Sequence, residues 1–267
     1  MRITVLGASG MLGHVVARFL EEAGHPVRSI RERFAPASAG RFLDALEATR
    51  PEAVVNCIGL RSGTEAELQE THVRLVQESI QRLGPGVRFL QAGTDGVFRP
   101  DRPDRRSCEE GDAEDPYGRS KRECERVVRE AGGCVMRCST LGPEIGPPRS
   151  LLGWFLAQRG PVRGFVNHGW NGITTLQWAQ VGLGLLEAAR PPAVCQPGFL
   201  PPLSKAEVLR LIGEAWGRPV VIVPEQAPTP VLRTLVPDIT CPPLAEQLRE
   251  LRAWHGARFP EGPTGPD

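Results

Sequence analysis

Tyr117 and Lys121 stand four residues apart in the segment DPYGRSKRE, residues 115–123. Tyr117 is the single tyrosine of a 267-residue chain, and all 32 basic residues are arginine except Lys121 and Lys205. On a helix, an i, i+4 pair shares one face. A tyrosine, with an ordinary pKa of about 10, is a weak acid at neutral pH. A cation one turn away favours the phenolate. Such a pair can deliver a proton to a carbonyl oxygen as its carbon is reduced. A third donor is expected where a neighbouring strand ends, and LQAGTDGVF supplies Thr94 and Asp95 there. The Thr94 hydroxyl could hydrogen-bond the same oxygen and turn it toward Tyr117.

What would bring a reductant to this face is written at the start of the chain. Gly7-Ala8-Ser9-Gly10-Met11-Leu12-Gly13 follows the apolar run Ile3–Leu6 and opens a helical pattern. In that context GxxGxxG reads as a dinucleotide turn. The first glycine allows the tight turn, the second lets backbone approach a pyrophosphate, and the third lets helix and strand pack closely. Where such sites carry a carboxylate for the ribose 2′-hydroxyl, this chain reads VRSIRERF, with Arg28 and Arg31. Arginine suits a 2′-phosphate, so NADPH is expected ahead of NADH, with Glu32 as the residue that could instead reach a ribose. Lys121 could hold the nicotinamide ribose beside Tyr117.

The elements that must position these residues alternate. Strands are expected at Ile3–Leu6, Val27–Ile30, Ala53–Ile58, Val87–Gln91 and Cys134–Cys138. Helices are expected at Met11–Ala23, Phe42–Ala48, Glu65–Leu83 and Tyr117–Ala131, with a loop over 99–116. Continuous apolar strands between helices indicate an α/β fold, a Rossmann-type doubly wound parallel sheet covered on both faces. After about residue 140 proline and glycine become frequent. Helices at Leu151–Gln158, Leu176–Ala189 and Lys205–Trp216 and a strand at Val220–Val223 suggest a smaller lobe. The expected division is 1–140 as the dinucleotide domain with 176–198 returning to it, 141–175 and 199–255 as a C-terminal substrate lobe, and 256–267 as a disordered tail.

Composition narrows the class. Hydrophobic residues at 40% and charged residues at 24% are ordinary for a soluble globular chain. A net charge of +1 gives no reason to expect nucleic acid or an anionic membrane as partner. No apolar run reaches the length of a membrane span, and no signal peptide is apparent, so a cytoplasmic protein is expected. The seven cysteines show no CxxC spacing and read as reduced thiols. The five histidines are isolated, so no metal site is expected.

GASGMLG, VVNCIG, GTDGVF and DPYGRSK, in this order, resemble the extended short-chain dehydrogenase/reductases, and more narrowly the dTDP-4-dehydrorhamnose reductase branch. The similarity continues through RCSTLGPE, NHGWNGITTLQWA and LSKAEVLRLIGEAWGRPVVIV, and those later segments look most like a sugar-nucleotide-binding reductase subgroup. The resemblance implies Thr94, Tyr117 and Lys121 as catalytic set. Gly7, Ser9, Gly10, Met11, Leu12 and Gly13 would line the cofactor diphosphate, and Asn56, Cys57, Ile58 and Gly59 would run past the adenosine side and nicotinamide ribose. Asp95, Val97, Phe98, Trp170, Asn171, Thr174 and Thr175 would meet a nucleotide sugar, with Trp170 equally readable as lobe core. Three positions depart from the family pattern: Gly93 for a serine, His72 for an asparagine, and Leu141 near where a tryptophan meets the sugar.

The function expected is NADPH-dependent reduction of a keto group, at the 4-position, on a nucleotide-linked deoxysugar. An epimerase or a non-catalytic NADP-binding regulatory subunit are the alternatives, and a homodimer is an open expectation. A dehydratase is disfavoured, because Thr94-Asp95 is followed by Gly96 where sister dehydratases carry a second carboxylate.

Overall fold

The apolar runs form the centre of a parallel sheet in the computed structural model, which describes residues 1–260. Its first half runs β1 (Ile3–Leu6), α1 (Gly13–Glu22), β2 (Val27–Ser29), α2 (Ala39–Ala48), β3 (Ala53–Asn56) and α3 (Glu65–Gln69). It continues through α4 (Leu75–Leu83), β4 (Arg88–Ala92), α5 (Pro116–Glu130) and β5 (Cys134–Met136). A π-helical turn, Glu70–Arg74, joins α3 to α4 without a break. The second half begins with β6 (Thr140–Leu141), α6 (Leu151–Leu156), β7 (Val162–Phe165), β8 (His168–Trp170), β9 (Ile173–Thr174) and α7 (Thr175–Glu187). It ends with β10 (Val194–Cys195), β11 (Pro197–Gly198), β12 (Leu203–Ser204), α8 (Lys205–Trp216), β13 (Ile222–Glu225), β14 (Val231–Arg233), β15 (Ile239–Thr240) and α9 (Leu244–Arg258).

Six strands pair in the order β10-β5-β4-β3-β1-β2, all parallel. The direction of winding reverses between β1 and β3, and open α/β sheets bind ligands beyond the carboxyl ends of strands at such a point. The glycine turn follows β1 and Cys57-Ile58 follows β3, so the sheet itself places both at that crevice.

Both faces of the sheet are buried, which is why its strands read as unbroken apolar runs. Side chains alternate across it. Ile3, Val5, Val55, Leu90 and Met136 pack with Val16, Leu20, Trp178 and Leu186 of α1 and α7. Leu6, Val54, Phe89 and Val135 pack with Phe42, Leu46, Leu75 and Val128 of α2, α4 and α5. A separate core joins Leu141, Leu152, Phe155, Val162, Phe199, Leu209, Ile212 and Leu248. No helix among the described residues is long and apolar enough to cross a membrane.

The loop over 99–116 is pinned by buried charge. Arg137, fully buried, forks onto Glu125 at 2.7 and 3.2 Å and also reaches Gln196 at 3.2 Å. Its guanidinium lies 4.9 Å from the Phe98 ring centroid, and that of Arg105 lies 4.1 Å from the same ring. Arg105 also binds Glu109 and Asp112 within the loop. Removing one partner of a buried pair leaves an uncompensated charge and costs about 3–5 kcal/mol.

Two sequence expectations shift. The strand expected at 220–223 lies at Ile222–Glu225, paired with β7. Of the tail expected over 256–267, Gly256, Ala257 and Arg258 instead complete α9, and Phe259 packs on His14 and His255. The remainder, 261–267, lies outside the described residues.

Candidate active site

The dinucleotide turn has the form its glycines require. Gly7 adopts φ +78°, and a Cβ on Gly13 would stand 2.0 Å from the Gly7 carbonyl oxygen, so strand and helix touch there. Leu12 precedes α1 as its N-cap and offers no side-chain cap; His14 N–H donates to the Gly10 carbonyl at 3.2 Å, which leaves its first-turn neighbours for an anion. Leu12 itself is buried in the core beneath the sheet, so only its backbone can serve a ligand. Ser9 and Gly10 are exposed and Met11 is half-buried.

His14, one residue into α1, holds this turn from below. Its Nδ1–H donates to the Gly10 carbonyl at 2.8 Å, and its Nε2 therefore accepts from His255 Nε2–H at 3.1 Å. Burial lowers the pKa of His14, and burial together with the neighbouring ring brings His255 down to about 4. Sequence reading assigned neither histidine a role.

On the adenosine side, Arg28 and Arg31 are exposed and bind no carboxylate among the described residues. At the end of β3, Asn56 turns inward: its amide donates to Gln91 at 2.9 Å and its oxygen accepts from Ile58 N–H at 3.0 Å. Its side chain therefore shapes the turn after β3. Burial pushes the Cys57 thiol well above the ordinary range, and Ile58 packs where a Cβ on Gly7 would point, leaving exposed Gly59 nearest solvent.

Helix α5 carries Tyr117 and Lys121. Asp115 caps it, accepting from Gly118 N–H at 3.0 Å, and Pro116 takes the first position, where no N–H is needed. Lys121 is buried, and its Nζ donates to the Ala92 carbonyl at 2.8 Å. No carboxylate pairs with it among the described residues, so two donors of a buried ammonium remain for a ligand. A buried ammonium with donors to spare, and uncapped backbone N–H groups at the head of α1, fit the ribose and diphosphate of a dinucleotide.

His72 replaces an asparagine with a structural tether. Leu60 N–H donates to Nε2 at 3.1 Å, which leaves Nδ1–H to donate to Ser120 Oγ at 2.8 Å. Ser120 in turn donates to the Tyr117 carbonyl at 2.8 Å. The ring stands edge-on to Tyr117 at 5.7 Å, and burial and the nearby Lys121 charge lower its pKa to about 3. His72 sits in the π-helical turn, a distortion that recurs at functional sites.

Three side chains converge over Gly96. A Cβ built there would meet Tyr117 Cε1 at 3.0 Å, Arg233 Nη1 at 3.1 Å and Thr94 Oγ1 at 3.2 Å. Thr94 caps the short 3-10 turn Asp95–Val97: its oxygen accepts from Gly96 N–H at 3.0 Å and its hydroxyl faces Asp95 Oδ1 at 3.3 Å. Burial raises the pKa of Asp95, with Arg233 as the opposing positive charge. Arg233, on β14, was not foreseen. Its only signal was position, in a strand whose pairing with β8 no local pattern reveals.

Several residues expected at the substrate are buried or engaged by neighbouring protein groups. Val97 and Phe98 are buried, Phe98 beneath Arg105 and Arg137, because the turn after Thr94 drives them into the loop's own core. Asn171 is buried and spans Leu235, donating to its carbonyl at 2.7 Å and accepting from its N–H at 3.0 Å. Thr174 is a buried cap for α7, and Thr175 is buried against Gly142. Trp170 is half-buried on Phe199 at 5.7 Å, part of the second core's wall. Leu141, where a tryptophan was the family expectation, is buried in that same core. Gly93 is dictated by packing, since a Cβ would meet the Met136 carbonyl oxygen at 2.9 Å and Val135 Cγ1 at 2.8 Å. Among the described residues no cluster of histidine, cysteine, aspartate and glutamate could hold a metal ion.

A reversed-winding parallel sheet, a glycine turn opening an uncapped helix, and a Tyr–Lys helix beside it define a dinucleotide-dependent enzyme of the short-chain dehydrogenase/reductase type. Residues 3–154, more than half of the chain, match the NAD dependent epimerase/dehydratase family, and the chain belongs to that family. No curated protein matches it. Among solved structures it is similar to a dTDP-4-dehydrorhamnose reductase from Bacillus anthracis in complex with NADP, with a TM-score of 0.83 and 15% identity over 95% of this chain and 99% of that one. A counterpart from Clostridium acetobutylicum gives 0.79 and 17% over 95% and 99%. One from Yersinia enterocolitica gives 0.76 and 16% over 94% and 98%. At these identities the likeness is one of fold.

Proposed function

We propose that this chain reduces a keto group, at the 4-position, of a nucleotide-linked deoxysugar with NADPH. The observation that carries the reading is the convergence of Thr94, Tyr117 and Arg233 over Gly96, one helical turn from the buried ammonium of Lys121. The fold-level likeness to dTDP-4-dehydrorhamnose reductases, one of them crystallised with NADP, supports it.

NADPH, when bound, supplies the hydride. First-turn N–H groups of α1 would hold its diphosphate, and Arg28 and Arg31 would donate to the 2′-phosphate. Lys121 uses the donors left over from Ala92 on the nicotinamide ribose. Thr94 turns its hydroxyl from Asp95 to the substrate oxygen, keeping the Gly96 N–H bond. Tyr117 gives its proton to that oxygen as negative charge develops there. His72 moves no proton at neutral pH, because both of its nitrogens are engaged.

An epimerase would return its hydride and consume no NADPH overall. Deuteride transfer therefore tests the proposal: with NADPH deuterated at the nicotinamide, the product sugar should carry one deuterium at the reduced carbon, seen by NMR. A product without label, formed with no net loss of NADPH, would replace reduction by epimerisation.

A further inference from the structure

The last described helix reaches back to the first turn after β1. His255 of α9 and His14 of α1 are 241 residues apart and both buried, with their Nε2 atoms 3.1 Å from each other. Phe259 stacks on His255 at 4.6 Å and stands edge-on to His14 at 5.1 Å, covering that bond. Farther along α1, Glu22 accepts from Arg258 Nε–H at 2.7 Å and from Trp254 Nε1–H at 3.2 Å. α9 is thus fastened to both ends of α1, at His14 in its first turn and at Glu22 in its last.

Chemistry fixes the direction of each hydrogen bond. The Gly10 carbonyl can only accept, so His14 carries its proton on Nδ1. With both rings neutral at pH 7, His14 Nε2 is an acceptor and His255 carries its proton on Nε2. Gly10 therefore takes two donors from the α1 side, His14 Nδ1–H at 2.8 Å and the His14 backbone N–H at 3.2 Å. The Gly10 carbonyl and the Met11 N–H belong to one planar trans peptide and point in opposite directions. Drawing the carbonyl toward α1 aims the Met11 N–H out of the helix, toward the crevice beyond β1. That N–H has no acceptor among the described residues.

We propose that His255 is a positioning residue for the cofactor: through His14 it locks the Gly10–Met11 peptide with its N–H aimed at the dinucleotide diphosphate. This rests on the cofactor reading of the glycine turn above. Which imidazole nitrogen holds the proton is set by the hydrogen bond the other makes. Without a donor to its Nε2, nothing keeps the His14 proton on Nδ1, and the ring can release Gly10. The last helix of the described chain thereby tunes a site on the first turn.

The test is titration of NADPH into the full chain, followed by cofactor fluorescence. His255→Leu is expected to raise Kd about tenfold, the scale of one well-placed hydrogen bond. His255→Gln, whose amide puts a donor near the former Nε2, is expected to stay within about twofold of wild type. His14→Asn keeps a donor for Gly10 but loses the reach to α9, so His255→Leu should add no further loss in that background. Glu22→Ala loosens α9 away from the turn and should lower Tm with Kd unchanged. In the cofactor-free protein, 15N NMR should show His14 protonated on Nδ1 and His255 on Nε2. Wild-type Kd in His255→Leu, equal losses in the Leu and Gln variants or in Glu22→Ala, additive losses in the double variant, or His14 protonated on Nε2 would overturn the inference and leave the turn as the NADPH site. A wild type that binds no NADPH would overturn the cofactor reading and this inference with it.

Discussion

His72 Nδ1 and Ser120 Oγ lie 2.8 Å apart, a bond that ties the π-helical turn to the helix of Tyr117 and Lys121. With Leu60 N–H on the other nitrogen, the ring is a strut that fixes the angle at which Tyr117 is presented. His72→Phe fills the space but leaves Leu60 N–H without a partner and takes away the donor to Ser120 Oγ, which should cost about 2–3 kcal/mol. Thermal denaturation should show that loss, and steady-state kinetics should show kcat reduced about tenfold with KM for NADPH little changed. Equal effects on both constants would mean that the ring acts on cofactor binding instead.

Arg233 links the lobe to the catalytic turn through Asp95. Arg233→Met removes the cation that counters the burial of Asp95, so that carboxyl should protonate at still higher pH. Kinetics of the variant should show KM for the sugar nucleotide raised about tenfold or more, the scale of one charge-assisted contact, while NADPH affinity stays as in wild type.

Acid should weaken the fold through three buried histidines. Each starts from an ordinary value of 6.5; His72 falls to about 3, His255 to about 4, and His14 is also lowered, all chiefly by burial. Below pH 6.5 the unfolded chain binds protons that the native state excludes. Their contribution is therefore complete above pH 6.5 and is lost as pH falls toward 4, at up to about 1.4 kcal/mol per pH unit for each histidine. Urea denaturation across that range should show the slope, and His255→Asn should flatten part of it.

Cofactor preference should reside in two exposed arginines. Arg28→Ala with Arg31→Ala should raise KM for NADPH about 10- to 100-fold and leave that for NADH nearly unchanged. Competitive titration of both cofactors measures this directly.

The sheet and the Tyr–Lys helix were legible because their signals are local. Glycines at Gly7 and Gly13, apolar runs, and an i, i+4 pair all act within one or two elements. What escaped depends on non-local pairing. Arg233 reaches the site only because β14 registers with β8, and His255 only because α9 returns to α1. Thr174, Thr175 and Asn171 were expected at the substrate from the family resemblance alone, and each is buried, because burial is set by packing across the lobe that a local pattern does not show. Gly93 shows the same limit: its replacement of serine was visible, but its cause is the backbone of β5 pressing on it from the next strand.

The central claim is that Tyr117 is the proton donor in a reduction driven by NADPH. The direct measurement is NADPH oxidation, followed by its ultraviolet absorbance, with a panel of nucleotide-linked 4-keto-6-deoxysugars for wild type and Tyr117→Phe. The account predicts turnover in wild type that falls by about a hundredfold or more in the variant, the scale of general acid catalysis, with NADPH binding intact. Undiminished turnover in Tyr117→Phe, or tight NADPH binding with no oxidation on any sugar of the panel, would contradict it.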